Sequence, residues 1–265
     1  MRRAGHSSLW DYRAFIANSI KRDFQAKYRQ SLLGSAWAVL QPLAMILVYT
    51  VVFSQLMGPR LMGSDDPMAY SVYLCSGIFT WGLLTEITGR SQIIFLEHAN
   101  LLKKLRFPWL SLPAIAVGNA CLNFAIVFGL FTVFLCAVGR FPGWPYLAML
   151  PLLVIQIALA AGLGVVLGVL SVFFRDIGPF YAIVLQFWFW MTPIVYPLNT
   201  LPPPVRDLIL LNPMTPLVGG YQGILLHGAW PDWGSLVTAT LVAMALCVLA
   251  LYLLARRSGE MVDEL

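Results

Sequence analysis

Charge is what this sequence lacks most. Only 11% of its 265 residues are charged, whereas 59% are hydrophobic, and the mean hydropathy is +0.77. A soluble domain usually carries about a quarter charged residues, so this chain has less than half of the charge that a solvated surface needs. The shortage excludes an ordinary soluble domain and indicates a chain that is surrounded largely by lipid.

Several chemical signatures are also missing. The sequence has no phosphate-binding loop of the form G-x-x-x-x-G-K-[ST], no H-E-x-x-H pair and no G-x-S-x-G elbow. We therefore expect no catalytic residue, no metal site and no cofactor on this chain, and any ATP-driven work must be powered by another polypeptide. The dispersed cysteines predict neither a disulfide framework nor a metal site. They are Cys75, Cys121, Cys136 and Cys247.

Ionisable residues are almost absent from the long apolar runs, whereas ion-coupled carriers usually need such residues at mid-membrane. Glu86 is the one candidate. Arg90 follows it by one helical turn, which favours an interfacial ion pair over a coupling site.

Six apolar runs are long enough to cover the roughly 30 Å hydrocarbon core at 1.5 Å per helical residue. The sequence therefore predicts an all-α polytopic membrane protein with six transmembrane helices. The predicted spans are 33–56, 69–88, 110–138, 145–174, 177–198 and 236–255.

The basic residues predict the orientation. Fourteen of the 17 lysines and arginines fall in one set of connections, and only Arg60, Arg140 and Arg206 fall in the alternate set. Basic loops stay in the cytoplasm, so we expect a bacterial inner-membrane protein with both termini in the cytoplasm. A missed or additional helix would disturb this alternation.

Three stretches lie outside the predicted spans. We expect residues 1–32 to form a first unit, a cytoplasmic amphipathic helix on the membrane surface. Its apolar stripe consists of Tyr12, Ile16, Ile20, Phe24 and Tyr28. The six-helix domain, 33–265, holds a cytoplasmic insert at 91–106. It also holds a proline-broken apolar region at 199–233, which predicts re-entrant helices on the outer face.

The fifth predicted span is dense in aromatic residues and contains the run Phe187-Trp-Phe-Trp190. The rings could form an interfacial belt with ordinary packing. They could equally be stacking surfaces for sugar rings, whose apolar C–H faces fit aromatic faces. In the fourth span, Gly164 and Gly168 belong to a small-residue face, which favours close packing within the bundle over a subunit contact.

One pattern is typical of an enzyme. His227 and Asp232 match the H-x-x-x-x-D of glycerolipid acyltransferases, in which the histidine is the base and the aspartate orients it. The pair falls on the predicted outer face, away from acyl-thioester donors, and Pro231 disfavours the helix that would align it. A membrane lipid acyltransferase is therefore an alternative of another class.

The order of the motifs resembles a known family. A basic amphipathic helix precedes six spans, the insert contains ANLLKKLRFP at 99–108, FFRDIG follows the fourth span at 173–178, and LNPMTP lies at 211–216. Over essentially the whole chain this arrangement resembles the membrane subunits of type-two ABC exporters. It is most similar to the Wzm-like permeases, which export O-antigen, capsular polysaccharide and teichoic acid.

The resemblance implies a homodimer of this chain with two copies of a separate ATPase, which would bind ATP and magnesium. It also implies three sets of functional residues. Coupling to the ATPase would use Glu97, Leu101, Leu102, Lys103, Lys104 and Arg106. The substrate path would be lined by Tyr49, Phe53, Phe187, Trp188 and Trp190. The cytoplasmic mouth of this path would hold Arg175 and Asp176. The arginine there would meet a pyrophosphate or pair with a neighbouring acid.

On this resemblance the expected substrate is an O-antigen-type polysaccharide linked to undecaprenyl pyrophosphate, and no nucleic acid is expected as a partner. The alternatives within transport are export of capsule, teichoic acid, a drug or a lipid. An exporter of drugs or lipids should lack a wide aromatic path.

Overall fold

The computed structural model describes residues 12–28, 33–56, 68–104 and 109–264, apart from the side chains of residues 28, 35, 53–56 and 104. All regular structure in these segments is helical, which confirms the predicted all-α class there. The helices are α1 (Arg13–Tyr28), α2 (Trp37–Leu56), α3 (Ala69–Glu97), α4 (Ala99–Lys104), α5 (Ser111–Ala137), α6 (Met149–Phe173), α7 (Ile177–Trp190), α8 (Pro203–Leu210), α9 (Met214–His227) and α10 (Leu236–Glu264).

Within the described segments, three helical stretches are long and apolar enough to cross a membrane. They are α5, α10 and Trp144–Phe173, which joins a short 3-10 helix to α6. Helices α2 and α7 are apolar but offer shorter stretches. Helix α3 has 29 residues, but its serine, threonine, tyrosine and glycine residues lower its hydropathy. The protein is therefore a helical membrane protein with several apolar helices, and the number of six spans stays a prediction.

Helix α6 lies at the centre of the bundle. More than half of its most apolar stretch is buried (56%), against 22% for α5 and for α10. Its neighbours are α10 and α3, and glycines permit both contacts. A Cβ on Gly168 would lie 2.5 Å from the backbone oxygen of Ser91, and a Cβ on Gly162 would lie 2.8 Å from the backbone nitrogen of Cys247. The predicted packing of the small-residue face within the bundle is confirmed.

Helix α1 packs against α5. Ile16 and Ile20 of the predicted stripe contact an apolar cluster formed by α3, α5, α6 and α10. Gly118 of α5 leaves the space that Ile20 fills, and the side-chain amide of Asn119 donates a hydrogen bond to Asp23 at 3.0 Å. We call the end of the bundle where α1 and α4 lie the basic end, and the opposite end the far end.

The interpretation of Glu86 and Arg90 as an ion pair is wrong. Asn123 of α5 donates a hydrogen bond of 2.7 Å to Oε2 of Glu86, and no ion pair joins Glu86 to Arg90 along α3. Asn119 and Asn123 are one turn apart on α5, so the two amides face acids from two other helices.

Two helices are longer than predicted, and one is shorter. Helix α3 continues through the first part of the 91–106 insert, and α10 continues to Glu264. Helix α7 ends at Trp190, well short of residue 198. Pro193 explains the early end, because it lacks a backbone N–H and disfavours helical geometry in the residue before it.

Candidate functional site

One face of α7 is exposed and aromatic. Phe180, Ile183, Phe187 and Trp190 follow one another at intervals of three and four residues, which places them on the same side of a helix. The exposed fraction is 67% for Phe187 and 59% for Trp190. More than half of each side chain is left uncovered by the described chain, so α7 presents these rings to lipid or to another molecule.

Helix α2 also has an exposed apolar row. Leu40, Leu43, Leu47 and Val51 are all exposed and repeat with helical spacing. Tyr49 lies on the other side, where it is half-buried against the bundle core. The side chain of Phe53, which the family resemblance also implies for the substrate path, lies outside the described residues.

Trp188 turns away from the exposed face of α7. Its ring meets Trp81 of α3 edge to face, with ring centres 5.7 Å apart. Its indole N–H donates a hydrogen bond of 2.8 Å to Oδ1 of Asn212. Of the predicted path residues, the structure therefore brings Phe187 and Trp190 together on one surface, while Trp188 and Tyr49 pack inward.

The backbone that follows α7 is not helical, yet its carbonyl groups have partners. The hydroxyl of Tyr73 lies 3.0 Å from the backbone oxygen of Pro193 and 2.8 Å from that of Tyr196, and the two oxygens share its single proton. The hydroxyl of Tyr70 donates to Val195 at 2.7 Å, and the amide of Gln222 donates to Pro193 at 3.3 Å. Non-helical backbone persists at membrane depth only where such groups are satisfied by protein or water.

Asn212 connects this backbone to the turn between α8 and α9. Its amide nitrogen donates to the backbone oxygen of Met191 at 3.2 Å and to the hydroxyl of Thr192 at 2.9 Å. Its Oδ1 accepts the backbone N–H of Met214 at 3.0 Å in addition to the indole of Trp188. We call Tyr70, Tyr73, Asn212 and Gln222, with the backbone of 190–196, the far-end polar cluster.

The far-end polar cluster was missed by the sequence analysis. Its tyrosines, asparagine and glutamine stand in apolar surroundings, which was the available signal, because buried polar groups are normally hydrogen-bonded. What the sequence could not supply was the partner of each group, since the three contacts of the tyrosine hydroxyls join residues more than 100 positions apart and the others join residues on different elements.

The predicted coupling residues lie at the junction of α3 and α4 and divide into two groups. Leu102 is only 6% exposed, and with the half-buried Leu101 it packs against the cluster that includes Met261 of α10. Glu97 and Lys103 are exposed. The side chain of Lys104 and the whole of Arg106 lie outside the described residues.

The C-terminal end of α3 also exposes apolar residues that the sequence analysis did not name as coupling residues. Ile93 and Leu96 are exposed there, three residues apart on one helix face. Together with Glu97 and Lys103 they make a mixed apolar and charged surface at the basic end, which we call the α3–α4 surface.

Arg175 and Asp176 occupy the turn between α6 and α7, and both are exposed. The backbone oxygen of Asp176 accepts the N–H of Phe180 at the start of α7 (3.1 Å). No ion pair joins the two side chains within this described turn. Both remain accessible at the basic end, on the same helix that carries the aromatic face.

His227 and Asp232 do not form a dyad. His227 ends α9, whereas Oδ1 of Asp232 accepts the backbone N–H of Gly234 at 3.1 Å in the following loop. No hydrogen bond connects the two side chains in segment 109–264, and the described part of the chain holds no cluster of three or more potential metal ligands. The arrangement that an acyltransferase base requires is not assembled.

Comparisons with known proteins agree on one family. The family profile described as ABC-2 type transporter matches residues 16–226. The chain is 29% identical to an O-antigen export system permease protein of Myxococcus xanthus, over 97% of each chain. It is 27% identical to a protein of the same name from Klebsiella pneumoniae, over 83% of this chain and 82% of the relative. It is 21% identical to the polysialic acid transport protein of Escherichia coli, over 74% of this chain and 75% of the relative.

Proposed function

Because the chain belongs to the ABC-2 type transporter family, we propose that it is the permease of an ATP-driven exporter that moves an O-antigen-type polysaccharide out of a bacterial cell. The names of three similar proteins, which are O-antigen permeases, favour this substrate. A capsular polysaccharide is the second candidate, supported by the likeness to a polysialic acid transporter.

The observation that carries the proposal is the exposed aromatic face of α7. Phe187 and Trp190 lie on the same side of α7, and most of each side chain is exposed. Aromatic faces suit a sliding sugar polymer, because each ring contributes a weak contact to many successive sugars. A drug or lipid exporter has no need of such a surface.

We propose that the path forms between two copies of this chain. Both α2 and α7 carry exposed apolar rows, and a second copy would face these rows across a central passage. The lipid-linked end of the glycan, carrying a pyrophosphate on undecaprenol, would enter at the basic end. There the exposed guanidinium of Arg175 can meet phosphate oxygens in a bidentate arrangement.

Work would be supplied by a separate ATPase subunit at the basic end. The α3–α4 surface offers Ile93, Leu96, Glu97 and Lys103 for that contact. Leu102 would act differently from the sequence expectation, because its burial ties α4 to α10. Movement of the ATPase would then pass through α4 into the bundle as a rigid-body rearrangement.

The proposed topology has six spans, with both termini and the basic end in the cytoplasm. Helix α7 has 14 residues and covers about 21 Å, so the non-helical backbone of 191–196 would complete the fifth span. Helices α8 and α9 would enter from the outer face and return. Trp188, the partner of Asn212, contacts Trp81 near the middle of α3, which supports a deep turn between α8 and α9.

The proposal is tested in cells that depend on this chain and its ATPase for surface glycan. We expect the double variant Phe187→Ala/Trp190→Ala to reduce surface polysaccharide strongly, while the purified complex keeps its basal ATP hydrolysis. Trp144→Ala is the control, because Trp144 is an even more exposed ring (82%) that lies before α6 instead of on α7. Normal export in the double variant, or an equal loss in the control, would overturn the assignment of the path.

A further inference from the structure

A cavity of about 310 Å³ opens between α2, α3 and α5 at the basic end. Its volume is within the range of small-molecule sites. It lies on the side of α2 that carries Gln41 and Met45, whereas the exposed row of Leu43, Leu47 and Val51 points elsewhere. Helix α7 contributes no residue to its lining. The cavity is therefore separate from the proposed glycan path.

The lining changes from polar to apolar along the bundle axis. Lys27, Gln41 and Glu86 lie toward the basic end, and Met45, Ile78 and Phe79 lie deeper. Met45 is eight residues beyond Trp37 at the start of α2, and Ile78 is eight residues before Glu86 on α3, so the depth along either helix is about 12 Å. A head at one end and an apolar body of this length are the two parts of a membrane lipid.

The polar end carries charges of both signs. Lys27 brings an ammonium group from α1, and Glu86 brings a carboxylate from α3. Asn123 fixes this carboxylate through Oε2 at 2.7 Å, and Oε1 accepts no hydrogen bond from the described residues. A carboxylate held in this way repels a purely anionic headgroup but accepts hydrogen bonds from an ammonium group.

We propose that this cavity binds a phospholipid with an ethanolamine headgroup, from the membrane leaflet at the basic end. The phosphate meets Lys27, the ethanolamine ammonium donates to Glu86, and the start of an acyl chain lies along Met45, Ile78 and Phe79. The choline headgroup fits less well, because its quaternary nitrogen has no N–H to donate. An anionic glycerol headgroup fits less well because it has no cation for Glu86.

The site bridges α1 to the bundle, since Lys27 belongs to α1 and every other residue named here belongs to α2, α3 or α5. A bound lipid therefore adds to the contacts by which Ile20 and Asp23 hold α1 against α5. This inference does not depend on which polymer the protein exports, and its test needs no transport.

The test uses the purified full-length protein in nanodiscs made with equal amounts of phosphatidylethanolamine, phosphatidylglycerol and phosphatidylcholine. Lipid that stays bound after release into the gas phase is counted by native mass spectrometry. We expect one phosphatidylethanolamine per chain, retained at least about fivefold over either other lipid, because charge-assisted hydrogen bonds are the strong ones. Retention of the three lipids in equal amounts, as in the surrounding bilayer, or a preference for phosphatidylglycerol, would overturn the proposal.

Two glycines of α3 provide a matched pair of variants. Gly82 lines the cavity and has open space where a Cβ would stand, and Gly89 also has open space but does not line it. Gly82→Leu should fill the cavity and lower the retained phosphatidylethanolamine at least about fivefold, while Gly89→Leu should retain it. Equal retention by both variants would show that the lipid binds elsewhere.

A third variant tests the headgroup assignment without changing the cavity volume. Glu86→Gln keeps the side-chain size and removes the charge, so lipid should still be retained but the preference for phosphatidylethanolamine over phosphatidylglycerol should fall to about one. A preference that survives this change would exclude Glu86 as the partner of the ammonium group. Retention of undecaprenyl phosphate in place of phospholipid, in protein taken directly from cells, would also overturn the proposal.

Discussion

Replacing Asn212 with leucine tests whether the far-end polar cluster holds the non-helical backbone after α7 in place. Asn212 makes four hydrogen bonds, with lengths between 2.8 and 3.2 Å, to Trp188, Met191, Thr192 and Met214. Leucine has a similar size but can neither donate nor accept. The substitution therefore removes all four bonds and leaves their partners without the amide.

The expected loss follows from measured values for such bonds in membrane proteins, which average about 0.6 kcal/mol each. Four of them give about 2 kcal/mol. At about 2–4 °C per kcal/mol for chains of 150–250 residues, the purified protein in detergent should lose its monodisperse peak at a temperature about 4–8 °C lower. Size-exclusion chromatography after heating measures this shift.

Asn199→Leu is the matched control. Asn199 lies in the exposed 3-10 helix before α8, and an exposed substitution of this kind stays within about 0.5 kcal/mol. The double variant of Asn212→Leu with Trp188→Phe should be less destabilised than the sum of the single variants, because both remove the same indole bond. An unchanged melting temperature in Asn212→Leu, or full additivity in the double variant, would refute the reasoning.

Three further substitutions probe other parts of the molecule. Gly168→Ala should destabilise the protein by about 1–3 kcal/mol, because a Cβ would stand 2.5 Å from the backbone oxygen of Ser91. Gly89→Ala is the control and should be neutral or slightly stabilising, since a Cβ there meets open space. The same heating assay compares the two variants. Leu102→Ala should cost about 2–5 kcal/mol, as for other core leucines, so a melting temperature equal to wild type would contradict its burial. Arg175→Gln should lower surface glycan without lowering the melting temperature, and unchanged export would remove the arginine from the proposed entry.

The long apolar helices could be predicted because length and composition alone define them. The predicted spans 110–138 and 236–255 correspond to α5 and α10, and hydrophobic helices of this length have few other stable environments. The contact of α6 with its neighbours could also be predicted, since Gly164 and Gly168 lie four residues apart and permit close approach.

The end of α7 could not be predicted from hydropathy. Most residues between Trp190 and residue 198 are still apolar, so the predicted span continued to residue 198 in spite of Pro193. Whether backbone in an apolar environment stays helical depends on partners for its carbonyl groups. Those partners, Tyr70, Tyr73 and Gln222, come from distant parts of the chain and become neighbours only in the folded bundle.

The periodicity of a helix separates two tryptophans that the sequence analysis had placed together. Trp188 and Trp190 are two residues apart, which is about 200° around an α-helix, so both cannot face one passage. Phe187 and Trp190 are three apart and share a side. The structure agrees, because Trp188 bonds Asn212 while Trp190 is exposed. One side of α7 is thereby fixed to the far-end polar cluster, and that fixation holds the rings of the opposite side in place. Trp188→Phe should consequently lower stability together with export, whereas Trp190→Ala should lower export alone. A variant that changes both tryptophans together could not separate the loss of stability from the loss of export.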